Sequence, residues 1–429
     1  MELVLEGIPK LKGKLSVPGD KSISHRALIL GSIAQGETHI YNFLNSLDCL
    51  KTLECMQALG VEIERGSNHS LKVKGRGLYG LEEPAEVLEV GNSGTTIRLL
   101  AGLLSGQKFY AVLNGDSSIR KRPMKRVVEP LRLMGADIGG REGGALAPLS
   151  IRGGRLAPLQ YTLPVASAQV KSALLLAGLY AAGETIIREP LSTRDHTERM
   201  LQMMQADLEI SPPEIKIRGG KELKATDIYV PGDLSSAAYF LTAASLLKGS
   251  QLTIEQVGIN PTRSGIIKIL EKMGARIDTL NFELKSNEPR ADLKIEYADL
   301  KGVEIGKEDI PGLIDELPLI AVAATQAQGI TVVSEAEELR VKETDRLKAI
   351  VSELKKMGAD IEEREDGLVV KGPAKLKGAV TESYSDHRMA MSLAIAALLA
   401  EGKTVIKNAE CIDISFPGFE KTLNKLINF

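Results

Sequence analysis

Apolar residues along this chain fall into two kinds of stretch, and the two alternate. In the first kind nearly every position is apolar. Segments starting at Gly19, Gly91, Ala166, Gly232, Asp315 and Asp386 open on polar residues and continue as Ala- and Leu-rich runs. Each ends at a Gly followed by a strand rich in β-branched residues. A helix apolar on all faces belongs in an interior. The second kind carries charge on one face, as in "RLKAIVSELKKMG" (346–358), and ends in a recurring phrase. The phrase reads "MQALGVEI" at 56–63, "LRLMGADI" at 131–138, "LEKMGARI" at 270–277 and "LKKMGADI" at 354–361, with a weaker copy, "LQMMQADLEI", at 201–210. It is an amphipathic helix with a stop, often Gly, and then a strand.

The alternation predicts an α/β protein of six units, each with a buried helix, a strand, an exposed helix and further strands. One unit cannot bury its apolar helix alone, whereas three around a common centre can. Two similar three-unit domains follow. The tetrapeptide Val-Pro-Gly-Asp occurs at 17–20, where the first unit begins, and again at 230–233, where the fourth begins. Pro and Gly suit a fixed turn and Asp suits a helix N-cap. Residues 1–17 read as strands. The expected domains are 19–231 and, with the chain ends reunited, 1–18 plus 232–429, with a hinge near 17–20 and 230–233.

Composition narrows the function classes. The 429 residues carry 43% hydrophobic and 26% charged residues and a net charge of −2, which fits a soluble globular protein and argues against nucleic-acid binding through bulk charge. Trp is absent, so Leu, Ile, Val, Ala and Met must build the cores. Three cysteines (Cys49, Cys55, Cys411) without a CxxC pair suit neither a disulfide framework nor a zinc site. The N-terminal residues do not read as a signal peptide, and the uncharged stretch 317–334 is broken by Pro318, Gln326, Gln328 and Gly329. The expectation is a cytoplasmic protein without membrane segments. P-loop, GxGxxG, GxSxG and HExxH patterns are lacking, so neither a metal nor an organic cofactor is expected.

The candidate chemistry lies at the starts of the apolar helices. A helix N-terminus offers free N–H groups and partial positive charge, which favour anions. In the first half these starts carry Lys21, Ser22 and Arg26; Asn92, Ser93, Gly94, Thr95 and Arg98; and Ser167, Ala168, Gln169 and Lys171. Arg120, Lys121, Arg122, Lys125 and Arg126 add a basic loop. A small substrate bearing several negative charges is the natural partner. The second half mixes acids with bases: Asp315 and Glu316; Lys342, Glu343 and Arg346; Asp386, His387 and Arg388. A carboxylate beside cations can accept or donate protons. Plainer readings stand beside these: Lys342 and Arg346 at i, i+4 on an exposed helical face, Asp386 as an N-cap and His387 as a structural histidine.

Six strings, in order, resemble 5-enolpyruvylshikimate-3-phosphate synthases: "PGDKSISHRALILGSIAQG", "GNSGTTIRLLAGLL", "GDSSIRKRPM", "SAQVKSALLLAGL", "RVKETDR" and "DHRMAM". The likeness runs from about residue 9 to about residue 420. It implies two inside-out α/β domains of three βαβαββ units each. It also implies a reaction: the enolpyruvyl group of phosphoenolpyruvate passes to the 5-hydroxyl of shikimate 3-phosphate by addition and elimination, and phosphate is released. Carried over by position, Lys21 contacts both substrates, and Ser22, Arg26, Ser167 and the more weakly matched Arg194 bind shikimate 3-phosphate. Gln169 lies near both ligands, and Gly94 and Arg122 line the phosphoenolpyruvate site. Asp315 takes the hydroxyl proton, Glu343 gives and recovers the methylene proton, and Lys342 binds at the reacting centre. Arg346 and Arg388 hold the carboxylate and phosphate of phosphoenolpyruvate. A monomer is usual for the family, and glyphosate, which resembles phosphoenolpyruvate, is the expected inhibitor because Gly94 leaves its site open.

Departures from the enterobacterial pattern are Ala168 in place of a serine, Ile414 in place of a late lysine, and "EEL" in place of an asparagine before "VKETDR". The nearest rival is the sister enzyme acting on UDP-N-acetylglucosamine. It carries Lys-Asn where this chain has Lys21-Ser22, and usually a reactive Cys, occasionally an Asp, at the position of Ser117 or its neighbour Asp116. A non-catalytic anion-binding module is the rival of another class. Asp315 and Glu343 argue against it, since an anion site gains nothing from added negative charge.

Overall fold

The computed structural model describes residues 1–427. Among these residues the strands form six small sheets, one for each unit. The second unit shows the plan. Strand Leu88–Glu89 leads into the apolar helix Gly94–Ser105 and strand Tyr110–Asn114. The charged helix Lys125–Leu133 and the strands Asp137–Gly140 and Leu146–Arg152 follow. Tyr110–Asn114 pairs with Leu88–Glu89 in parallel (Leu88 opposite Leu113) and with Leu146–Arg152 antiparallel (Leu113 opposite Leu149). A parallel pair needs a crossover, and the apolar helix is that crossover. The later strands need only a tight turn, so they fold back as a hairpin.

The first unit of each half and the last unit of the second half borrow strands from elsewhere in the chain. Ala34–Tyr41 takes its parallel neighbours from Leu223–Lys224 and Ile228–Tyr229. Lys12–Ser16 lies parallel to Gln251–Gly258, and Glu2–Glu6 runs antiparallel to Lys403–Lys407. The chain accordingly divides into two compact units. A central one spans Gly19–Val230 with Lys285–Glu288, and a flanking one spans Met1–Pro18, Pro231–Leu284 and the chain from Pro289 onward. Each has its own core: one runs from Ile23 to Val230, and the other joins Leu3–Val17 to residues after 233.

Six apolar helices occupy the interiors: Lys21–Ser32, Gly94–Ser105, Ala168–Gly178, Leu234–Leu246, Leu317–Gln326 and His387–Leu399. Every residue from Leu234 to Ser245 is buried, while many of the strands alternate buried with more exposed positions, as Glu2–Glu6 does. Helices thus lie inside and sheets form the outer layer. At Gly102 a Cβ would sit 2.2 Å from the Ala173 carbonyl oxygen, so glycine is what lets Gly94–Ser105 lie against Ala168–Gly178.

The repeated tetrapeptide has a consistent place. Val17 packs in the flanking core, and Asp20 caps the helix Lys21–Ser32 of the central unit by accepting from the Ile23 N–H at 2.9 Å. Val230 packs in the central core, and Asp233 caps Leu234–Leu246 of the flanking unit through the Ser236 N–H at 3.1 Å. The chain passes from one unit to the other inside each copy.

Candidate active site

In the central unit the starts of three interior helices carry the sequence candidates. Asp20, Ser93 and Ser167 cap them, each accepting a backbone N–H three residues on. Lys21 Nζ donates to Asp48 at 3.2 Å and stays partly exposed. Arg26, one turn further, is buried. Its Nε donates to Thr197 Oγ1 at 2.6 Å, Nη2 to Ser172 Oγ at 2.8 Å and Nη1 to the Ser22 carbonyl at 2.9 Å. These oxygens are neutral. Burial lowers the Arg26 pKa to about 10, with Glu198 acting against that. The guanidinium therefore keeps its charge at neutral pH and has N–H groups to spare for an anion.

Gly94 is ringed by cations. A Cβ there would lie 3.0 Å from Nη1 of both Arg122 and Arg98. Arg98 also donates to Gln169 Oε1 and, at 3.3 Å, to the Pro123 carbonyl, and Gln169 Nε2 donates to Thr95 Oγ1 at 3.1 Å. Gly94, Arg122 and Gln169 are thus brought together, with Arg98 as a fourth member that had been noted only as a nearby cation. Its signal was available: position 98 is one turn along the helix from Gly94. Ser167 stands at the start of the next helix and Arg194 in the loop between Glu184–Arg188 and His196–Met203.

Lys171 departs from the expectation of a substrate-facing cation. It is wholly buried and bound to Glu189 and Glu198. Four positions along the helix from Ser167, it has turned into the core. Behind the helix starts, His25 Nδ1, Thr52 Oγ1, Thr96 Oγ1 and Ser93 Oγ form a buried chain with links of 2.6, 2.7 and 2.6 Å. The Thr96 hydroxyl donates to Ser93, so Thr52 donates to Thr96 and His25 carries its proton on Nδ1. Burial, with Lys21 and Arg26 nearby, holds the His25 pKa well below its ordinary value.

The flanking unit gathers acids and bases around two buried guanidiniums. Arg346, 1% exposed, bonds Asp386 at 2.8 Å through Nε and Glu343 at 2.6 Å through Nη2, and lies 3.5 Å from Asp315. Arg388 is 3.3 Å from Asp315 Oδ2 and from Glu316 Oε1. Burial opposes both charges, yet Asp386 and Glu343 for Arg346, and Asp315 and Glu316 for Arg388, push the pKa values up. Asp386 also caps its helix through the Arg388 N–H at 2.9 Å. The cap reading of Asp386 holds, and the residue positions Arg346 as well.

Lys342 and Arg346 do not share a helical face. Lys342 ends the 3-10 turn Glu337–Val341 in extended conformation, while Arg346 starts the next helix. Asp315, Glu343, Arg346 and Arg388 form one cluster; Lys342 precedes Glu343 and is partly exposed. Glu316, a candidate acid without an assigned role, accepts from Ser235, and one member has no signal in the sequence reading: Arg263, which donates to Asp233 at 3.0 Å and to Ser235 at 2.7 Å. Arg263 lies far along the chain from any recognised string. Ile414 ends the 3-10 turn Ala409–Ile414 and packs against the flanking core, an apolar role in the place of the family lysine.

Chemically, the central cluster is a set of cations and helix starts suited to anions, and the flanking cluster pairs carboxylates with guanidiniums at hydrogen-bond range. A sequence model of EPSP synthase (3-phosphoshikimate 1-carboxyvinyltransferase) matches residues 5–423. A 3-phosphoshikimate 1-carboxyvinyltransferase of Desulforamulus reducens is 52% identical over 427 residues, covering 100% of both chains. That of Pelotomaculum thermopropionicum is 54% identical over 418 residues, covering 97% of each. Among solved structures, EPSP synthase from Acinetobacter baumannii superposes with a TM-score of 0.89 at 45% identity, covering 99% of this chain and 98% of that one. The enolpyruvyl transferase NikO from Streptomyces tendae shares the fold, with a TM-score of 0.82 at 19% identity over 99% of this chain and 97% of its own. Match to the family model over nearly the whole chain, together with relatives above half identity at full length, places this chain in the EPSP synthase family.

Proposed function

We propose that the chain binds shikimate 3-phosphate and phosphoenolpyruvate through these residues and joins them as a 3-phosphoshikimate 1-carboxyvinyltransferase. The reaction itself is that of the family to which the chain belongs. Asp315 takes the proton of the 5-hydroxyl as its oxygen attacks C2 of phosphoenolpyruvate, while Glu343 protonates C3. The product of addition is a tetrahedral ketal phosphate. Glu343 then recovers a proton from the new methyl group, the bond from C2 to the phosphate oxygen breaks, and phosphate leaves with that electron pair and with the proton that Asp315 had taken. Lys21 and Lys342 balance the charge that develops at the reacting centre. Ser22, Arg26, Ser167 and Arg194 hold shikimate 3-phosphate, with Gln169 between the ligands. Gly94, Arg122, Arg346 and Arg388 hold phosphoenolpyruvate.

The observation that carries this reading is the pairing of Asp315 and Glu343 on one guanidinium, that of Arg346, at 3.5 and 2.6 Å. Two carboxylates held on a common cation place two proton-transfer groups beside one another. Ser22 argues against the sister activity, which carries Asn at that place, and neither position 116 nor 117 holds the Cys usual there.

Glyphosate competes for the phosphoenolpyruvate site, and the enzyme acts as a cytoplasmic monomer. Among the described residues, no helix is long and apolar enough to cross a membrane. The test of the proton-transfer roles is Glu343→Gln. General acid–base assistance contributes roughly 100- to 10,000-fold, so kcat falls by about that factor while substrate binding persists. Turnover at the wild-type rate would remove Glu343 from this role.

A further inference from the structure

Lys171 is buried with no exposed surface, yet it stands four residues from Ser167, on the helix whose start belongs to the shikimate 3-phosphate half of the site. Its ammonium bonds Glu189 at 2.9 Å, Glu198 at 2.6 Å and the Thr193 carbonyl at 3.4 Å. Thr193 Oγ1 in turn donates to Glu189 at 2.7 Å. These partners sit at defined places. Glu189 begins the loop that carries Arg194, Thr193 immediately precedes Arg194, and Glu198 immediately follows Thr197. Thr197 and Ser172, the neighbour of Lys171, are the two hydroxyls that hold the Arg26 guanidinium, and they bond each other at 2.7 Å. One ammonium thus fixes both ends of the Arg194 loop and both side-chain supports of Arg26.

A buried ion cluster is a poor stabiliser on its own account, because desolvation offsets the attraction. An apolar side chain at position 171 would serve a core equally well. What an apolar residue could not do is draw the loop, the following helix and its own helix onto one point. We propose that Lys171, with Glu189 and Glu198, is a buried strut that positions Arg26 and Arg194 for the anionic substrate. These are positioning residues: they touch no substrate and act through the two arginines. The proposal rests on the reading that Arg26 and Arg194 bind shikimate 3-phosphate.

The test compares steady-state constants for both substrates, and calorimetric affinity for shikimate 3-phosphate, across three variants of the full-length enzyme. Arg26→Ala examines the underlying reading. It should raise KM for shikimate 3-phosphate, and an unchanged KM would sink the reading of the half-site itself. Lys171→Met examines the strut. Loss of a supporting contact of this kind costs ~10-fold or more, so KM for shikimate 3-phosphate should rise by about that factor while KM for phosphoenolpyruvate moves less than about twofold. A merely structural lysine would lower the melting temperature and leave that split absent. A folded Lys171→Met enzyme with both KM values unchanged, beside an impaired Arg26→Ala, overturns the strut and spares the reading. Thr197→Val, which removes one hydroxyl of the Arg26 support, decides the matter if Lys171→Met fails to fold. It should show the same split, and wild-type constants would overturn the proposal.

Discussion

Arg26 and Arg346 are both buried, and their surroundings separate their tasks. Arg26 is held by two hydroxyls and a carbonyl, so its charge remains available to an incoming anion. Arg346 already sits among Asp315, Glu343 and Asp386, so it orders carboxylates as well as carrying charge. The cation class of both residues was legible in the sequence; the difference between them was not, because it depends on partners up to 171 positions away. Lys171 was misread for the same reason: residue type announces a charge, and only packing decides whether it faces a ligand or two buried acids.

Two predictions belong at this scale. Gly94→Ala puts a methyl 3.0 Å from the Arg98 and Arg122 guanidiniums, which have to give way. The half-inhibitory glyphosate concentration should rise and KM for phosphoenolpyruvate should rise less. Unchanged inhibition would contradict the steric argument. His25 concerns pH. Its folded-state pKa lies below the unfolded value, so the folded protein binds fewer protons there. Its stabilising contribution is full above about pH 6.5 and is lost as pH falls toward the folded pKa. Wild type should lose more melting temperature than His25→Asn between pH 7 and pH 5; parallel losses would show that His25 does not titrate as described.

At the scale of elements, the apolar helices were the most legible feature, since each is a dense apolar run with a polar start and a Gly stop. The recurring strand after "MGA" was equally plain. The borrowed strands were not. Val4 opposite Val405 and Ile228 opposite Ile40 are pairings between segments with no local signal for each other. Helix starts also do two jobs, which Asp386 illustrates. Asp386→Ala removes a cap and a partner of the buried Arg346, so it should cost about 3–5 kcal/mol, measured by urea unfolding. A loss below about 1 kcal/mol would reduce it to an ordinary cap.

For the whole molecule, six alternations in one chain implied two three-unit bodies, and two compact units with separate cores are what the fold contains. The sequence reading attached residues 285–288 to the flanking segment, whereas they cluster with the central unit. There Glu288 meets the buried His196 at 2.7 Å, a pairing that no repeat count could reveal. The central core draws only on residues 23–230 and its first sheet is closed by strands near its own end. A fragment spanning Gly19–Val230 should therefore fold and melt cooperatively, as followed by circular dichroism, at a temperature lowered by the loss of Glu288, whereas a disordered fragment would deny that this core suffices without residues 285–288.

The central claim is the reaction. Phosphate released from phosphoenolpyruvate should be followed with the purified enzyme, once with shikimate 3-phosphate and once with UDP-N-acetylglucosamine. Release with the first acceptor alone, one phosphate per acceptor consumed, is the predicted result. Release with the nucleotide sugar alone would assign the chain to the sister activity, and release with neither would contradict the enzymatic account.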